Sequence, residues 1–338
     1  SKDWKRLLKA PKDLEGEYSV REGVYVIGEF AFYDCESLTS IIIPKGVTNI
    51  GSSAFSMAES LTSIIIPKGV TNIGSGAFSY CESLTSINIP NSVTSIGSSA
   101  FSRCESLTNI NIPNSVTNIG INTFAECYSL TSIIIPNSVA SIESCAFYDC
   151  SSLAKISISK SVTSIGSSAF YGCYSLKNIT IPSGVVDIIG NPFCGWHGEL
   201  HNESKNFIYE DQVLFSKDRT TIIAYRAKET NYIIPDSVTT IGERAFASCY
   251  YMTSIIIPKS VTTIGEGAFD GCSMTSIAIP DSVTTIGESA FYECTSLISI
   301  DISNSVTSLG GFAFGLCSSL ISIAIPDSVT TIGESAFY

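Results

Sequence analysis

A phenylalanine, nearly always preceded by alanine, returns along this chain at a near-fixed interval. It falls at Phe32, Phe55, Phe78, Phe101, Phe124, Phe147, Phe170 and Phe193, each 23 residues after the last. After one step of 53 it resumes at Phe246, Phe269, Phe291, Phe314 and Phe337, with steps of 23, 22, 23 and 23. A period of roughly 20–50 residues is the mark of a solenoid of stacked units. One 23-residue unit cannot bury its own apolar face, whereas neighbours in register build a continuous core.

The unit from Val47 to Pro67 shows how each coil is read. Val47, Ile50, Ala54, Phe55, Leu61, Ile64 and Ile66 are apolar, and Ser, Thr, Asn, Gly, Lys and Glu lie between them. Ile64 and Ile66 alternate with Ser63 and Ile65, which predicts a short strand with two side chains inward and its neighbours outward. Pro67 ends it, because proline has no N–H for a ladder. Pro67-Lys68-Gly69, Pro90-Asn91-Ser92 and Pro280-Asp281-Ser282 read as turns. A second extended piece spans Val70 to Ile73. Gly28, Gly51, Gly74, Gly97, Gly120 and Gly166, each four residues before a Phe, are expected at corners that need a permissive backbone. The AFxxC stretch is too short for a helix and predicts a 3₁₀-like turn.

These pieces resemble a known family. Leu84-Thr85-Ser86-Ile87-Asn88-Ile89-Pro90, Val93-Thr94-Ser95-Ile96-Gly97 and Ala100-Phe101-Ser102-Arg103-Cys104 are similar to the BspA-like, or Treponema-type, leucine-rich repeat. The likeness covers almost the whole chain. It implies a curved leucine-rich-repeat array, strand-rich, with short parallel strands and 3₁₀-like turns. It also implies a role as a cell-surface adhesin or antigen that binds protein. Departures are local: Ser159 and Ser303 stand for the strand-ending Pro, Ala58 for the Cys, Thr123 and Pro192 for the Ala.

The chain has 338 residues and a net charge of −12. That balance disfavours nucleic acid as a partner. The acid is uneven: residues 230–338 hold ten Asp or Glu against two basic residues. No run of 18 apolar residues predicts insertion into a membrane. Ten of the twelve cysteines sit three residues after the Phe, while Cys145 and Cys194 do not. Ala58 fills the same slot, so the slot wants a small buried group, and free thiols are expected there. No CxxC spacing suggests a metal.

One array is therefore expected over 1–338, with regular repeats at 1–193, an irregular unit at 194–234 and regular repeats at 235–338. Ser1-Lys2-Asp3 through Phe32 resembles Ser216-Lys217-Asp218 through Phe246, which suggests a fragment of a longer protein. In the irregular unit Trp196 takes the Cys slot. Phe207-Ile208-Tyr209, Val213-Leu214-Phe215 and Thr221–Tyr225 read as strands, with Lys217-Asp218-Arg219 as a hairpin turn. Both histidines lie there, and on an extended segment His197, Glu199 and His201 would share a face. A solvated loop is the plainer reading, and neither cofactor nor metal is expected. No His outside this segment is available to activate a serine, so no catalytic residue is expected.

The expected function is a non-enzymatic protein-binding module using the outward positions of the LxxIxIP strands. These are Ile42, Ile65, Asn88, Asn111, Ile134, Thr180, Ile256 and Asp301. A host extracellular protein is the candidate partner. The rivals are a passive stalk that presents other domains and, below it, a metal-binding or enzymatic role for the 194–234 insertion.

Overall fold

The structure is a computed structural model that describes residues 5–338. The Ser1-Lys2-Asp3 part of the internal likeness lies outside the described residues. The chain divides into two compact units: one runs to Asp187 and takes in Trp196–Ser204, and the other comprises Ile188–Gly195 and Lys205–Tyr338. Both are solenoids of parallel-stranded coils.

In the first unit the LxxIxIP segments make one seven-stranded parallel sheet. It runs through Gly16–Ser19, Leu38–Ile42, Ser63–Ile65, Ser86–Asn88, Asn109–Asn111, Ser132–Ile134 and Lys155–Ser157 in chain order. The register is one period: Ile64 faces Ile87, and Ile87 faces Ile110. The VTxIG pieces form two-residue strands such as Asn49–Ile50 and Asn72–Ile73, again paired coil to coil. Threonines tie neighbouring coils together. The hydroxyls of Thr62, Thr85, Thr108 and Thr131 each donate to the carbonyl of the Thr one period earlier, at 3.2–3.4 Å.

The phenylalanines are the axis of each stack. Phe32, Phe55, Phe78, Phe101, Phe124, Phe147 and Phe170 are fully buried. Their rings lie nearly parallel, with successive centroids 5.1–5.9 Å apart. The ring spacing tracks the separation of the strands. Removing one such side chain costs ~3–5 kcal/mol and leaves its neighbours facing a void.

The AFxxC stretch has the three-residue bonds of the expected 3₁₀-like turn, in an interrupted form. The N–H groups of Ala54, Ser56 and Ala58 donate to the carbonyls three residues back, while those of Ser53, Phe55 and Met57 donate to Ser75, Ala77 and Ser79 of the next coil. This alternation requires left-handed residues: Ser53 and Met57 have φ of 49° and 62°, and their equivalents Ser99 and Arg103 have 57° and 58°. Glycine occupies these same slots at Gly76 and Gly172.

The glycines four residues before the Phe have a different reason from the one expected. Gly51, Gly74, Gly97 and Gly166 do not adopt positive φ. A Cβ on Gly74 would lie 2.5 Å from the Ser52 amide nitrogen and 2.6 Å from the Gly51 carbonyl carbon. At Gly51, Gly74, Gly97 and Gly166 the coils touch backbone to backbone and only hydrogen fits between them. A Cβ on Gly120, by contrast, would stand 3.3 Å from the Ser98 hydroxyl, and the next coil holds Glu143 in this slot.

The ladder cysteines are unbridged. The thiols of Cys81, Cys104, Cys127, Cys150 and Cys173 each donate to the carbonyl of the Phe in the preceding coil, at 3.0–3.2 Å. Burial pushes the Cys127 and Cys173 thiols up to about 12. Other departures are absorbed locally. Thr123 is buried and its hydroxyl donates to the Gly120 carbonyl at 2.8 Å. Ser159, without the ring of proline, donates to the Asn137 side chain at 2.6 Å.

The second unit repeats the scheme, with Phe246, Phe269, Phe291, Phe314 and Phe337 stacked at 5.2–5.6 Å. The 22-residue step loses its residue in the turn between Cys272 and Met274, and the Phe269–Phe291 spacing stays at 5.2 Å. This unit opens with an antiparallel meander. Phe207–Glu210 pairs with Val213–Ser216, which pairs with Thr221–Tyr225. Asp211 and Gln212, with φ of 46° and 61°, make the first tight turn. Lys217-Asp218-Arg219 lies in the second, where the Asp218 carboxylate accepts from Ser216 and Thr220.

The two left-handed and close-contact slots make opposite forecasts. Gly74→Ala is expected to cost ~1–3 kcal/mol, as overpacking against rigid backbone does. Ser99→Gly relieves a left-handed residue and should leave stability within ~1 kcal/mol of the parent, or raise it. Thermal unfolding of the two variants checks this.

The raised thiols predict alkaline sensitivity. In the unfolded chain the same thiols ionise near 9, so above that pH the unfolded state gives up protons that the folded state keeps. Stability should be flat from pH 6 to 8 and fall from about pH 9 towards 12, by about 1.4 kcal/mol per pH unit for each such thiol. A melting profile against pH, with denatured-state thiol titration alongside, measures it.

Candidate binding face

Strand pleating decides what the outer face displays. Ile64 and Ile66 turn inward and are buried, while Ile65 between them is 81 % exposed. Ile134 is 72 % exposed in the same way. Ile42, Ile65, Asn88, Asn111 and Ile134 lie in consecutive strands of the seven-stranded sheet, all exposed. They form one row, with Ile65 beside Asn88 and Asn88 beside Asn111. Core packing asks nothing of this row, since amide and aliphatic side chains alternate in it freely.

The other sequence-selected residues are placed apart. Thr180 is half-buried in a two-stranded sheet of Asn178–Ile181 with Glu199–Asn202, opposite His201. Ile256 and Asp301 belong to the second unit, both exposed. There Ile256 pairs with Ile233, which is 68 % exposed and was not singled out from the sequence. The period would have found it: Ile233 is one repeat before Ile256.

The turns beside the row give it a wall that sequence reasoning missed. An open groove of about 1060 Å³ runs from Lys45 past Ile65, Lys68 and Asn88 to Asn91 and Asn111. A second hollow shares Asn91 and Asn111 with it and continues past Asn114, Ile134 and Asn137 to Ser159. The floor is the outward row and the wall is the residue after each strand-ending proline. The available signal was the turn slot itself, which changes from coil to coil while the proline beside it persists in all these coils but that of Ser159.

The histidine segment is ordered differently from a metal centre. Trp196 is buried and its indole N–H donates to the Leu176 carbonyl at 2.7 Å. His201 Nε2 lies 3.6 Å from Glu199 Oε1, both exposed on the Glu199–Asn202 strand. Among the described residues no group of three His, Cys, Asp or Glu is placed to hold a metal ion. Among them, too, no helix is long and apolar enough to cross a membrane.

The chain resembles known repeat proteins. The family model described as BspA type leucine rich repeat region matches residues 16–131, 71–199 and 223–338. A leucine rich cell surface protein from Faecalibacterium prausnitzii is 30 % identical, with a TM-score of 0.63, over 95 % of this chain and 88 % of that one. A leucine-rich repeat protein from Bacteroides ovatus is 27 % identical, with a TM-score of 0.55, over 95 % of this chain and 76 % of that one. No curated protein matches the chain.

Proposed function

This chain belongs to the BspA-type leucine-rich repeat family, and on that premise we propose that it is a non-enzymatic protein-binding module of a cell-surface or secreted adhesin or antigen. The contact surface in this reading is the outward row of the first unit, centred on Ile65, Asn88, Asn111 and Ile134. The observation that carries it is the exposure of Ile65 and Ile134 in a strand whose neighbouring isoleucines already fill the core. Sister coils hold Asn or Ser at the same position, so folding does not call for aliphatic groups there. Exposed aliphatic groups in two adjoining hollows, Ile65 in one and Ile134 in the other, favour contact with a partner over mere presentation. The printed description of the Faecalibacterium relative as a cell surface protein supports the location.

A catalytic reading has little to build on. The threonine hydroxyls of the ladders are engaged with backbone carbonyls, and the ladder thiols are buried against the phenylalanine carbonyls. Neither set offers a base-activated nucleophile.

The test separates face from core. Ile65→Asp with Ile134→Asp should shift stability by no more than about 1 kcal/mol, as surface changes do. Ile64→Asp should melt the coils around it, because it buries an unpaired charge. Circular dichroism reads the folding. Binding of a purified extracellular partner, obtained by affinity capture, should fall with the double variant and hold with a Lys228→Ala control. Undiminished binding by a folded double variant would remove the face from consideration.

A further inference from the structure

The groove of the first unit has a chemistry of its own. Lys45 and Lys68 stand exposed at one end, and neither is paired with an acid among the described residues. No Asp or Glu lines the groove. This is notable in a chain of net charge −12. The turn slot of the first unit reads Glu22, Lys45, Lys68, Asn91, Asn114, Asn137, Lys160 and Ser183, with no acid from Lys45 onward. In the second unit the same slot holds Asp236, Asp281 and Asp327, with Lys259 and Asn304 between them. The unbroken positive and neutral wall thus belongs to the coils from Lys45 to Lys160.

Between the lysines and Ser159 the groove is lined with carboxamides. The side chains of Asn88, Asn91, Asn111 and Asn114 make no hydrogen bond to another described residue. On the VTxIG sheet, by contrast, Asn72 donates to Asn49 at 2.8 Å and the pair is closed. A carboxamide carries two donors and an acceptor, which matches the alternating N–H and C=O groups of an extended main chain. Ile65 and Ile134 supply apolar contact at separate points of the floor. No aromatic ring lines the groove, so nothing offers the flat face on which a sugar ring would stack.

Resting on the reading that the sheet face binds protein, we infer that this groove takes an extended, acidic polypeptide segment. Its Asp or Glu side chains lie over Lys45 and Lys68. Its main chain runs along Asn91 and Asn114, and its aliphatic side chains meet Ile65 and Ile134. From the coil of Lys45 to that of Ser159 is five coil steps, roughly 24 Å, the length of about seven extended residues.

A random nine-residue peptide library displayed on phage and selected against the whole chain tests this. Recovered peptides should carry Asp or Glu at one end and aliphatic residues beyond. Measured by fluorescence anisotropy, their affinity should fall at least tenfold in Lys45→Glu/Lys68→Glu and several-fold in Asn91→Ala/Asn114→Ala. Both variants should melt with the parent. Peptides without acidic bias, or no recovered peptide, would overturn the inference. So would acidic peptides indifferent to the lysine reversals. Heparin fragments that bind through Lys45 and Lys68 where peptides do not would assign the groove to sulfated glycans instead. Loss of peptide binding in Ile65→Asp/Ile134→Asp with none in Lys45→Glu/Lys68→Glu would leave the face as the binding surface and refute the acidic partner. Indifference to both would remove the face as well.

Discussion

The regular coils from Phe32 to Phe170 and from Phe246 to Phe314 each hold a buried phenylalanine that lies against the phenylalanine of the next. With ring centroids 5.1–5.9 Å apart in the first unit, the stack sets how closely coils approach, and other recurring residues can be read as answers to that spacing. Glycine sits where backbones touch. Left-handed serines let alternate N–H groups reach across to the neighbouring coil. Cysteine puts a thiol on the preceding phenylalanine carbonyl, in a space that also admits Ala58. Threonine hydroxyls cap carbonyls on the strand edge. Residues vary where the spacing does not reach the side chain: on the outward row, in the turn after proline, and at left-handed slots such as Met57, Tyr80, Arg103 and Glu126.

Much of this was legible in the sequence because a fixed period leaves few folds open. The interval of the phenylalanines and the alternation of Ile64, Ile65 and Ile66 led to parallel stacked strands with Ile65 outside, and the structure has both. Other features were hidden because identity alone does not say which constraint a residue serves. Gly74 invited an argument from backbone freedom, yet it is there because a methyl group would collide with Ser52. The true left-handed positions carry Ser99 or Arg103, side chains that give no warning; the sparse glycines at Gly76, Gly172, Gly267 and Gly271 were the clue. Asp211-Gln212 lacks the glycine that usually marks such a turn. The groove escaped notice because its wall joins turn residues that are 23 positions apart in the chain.

The division of labour follows from the same spacing. Core ladders cannot record a partner's identity, since any change there breaks the stack. The outward row and the turn slot can, and they differ between the two units. From Lys45 to Lys160 the first shows mostly Ile, Asn and Lys; the second shows Ile, Ala and Asp, with acidic turns at Asp236, Asp281 and Asp327. Charge reversal on one scaffold is a route to partner choice that leaves folding untouched. Under the proposed binding role of the sheet face, the two surfaces are expected to prefer different ligands.

Register, and not the sum of residues, holds the molecule together. Deleting one whole period, Ser79–Phe101, brings Phe78 onto Phe124 with every ladder aligned. Deleting about half of it, Ser79–Pro90, sets polar residues on core columns and forfeits several buried Ile or Phe contacts worth ~2–5 kcal/mol each. Thermal unfolding of the two shortened proteins measures the difference. A cooperative transition close to the parent for the full-period deletion, and a large drop or loss of folding for the smaller one, is the outcome predicted. Equal stability of the two would contradict the account.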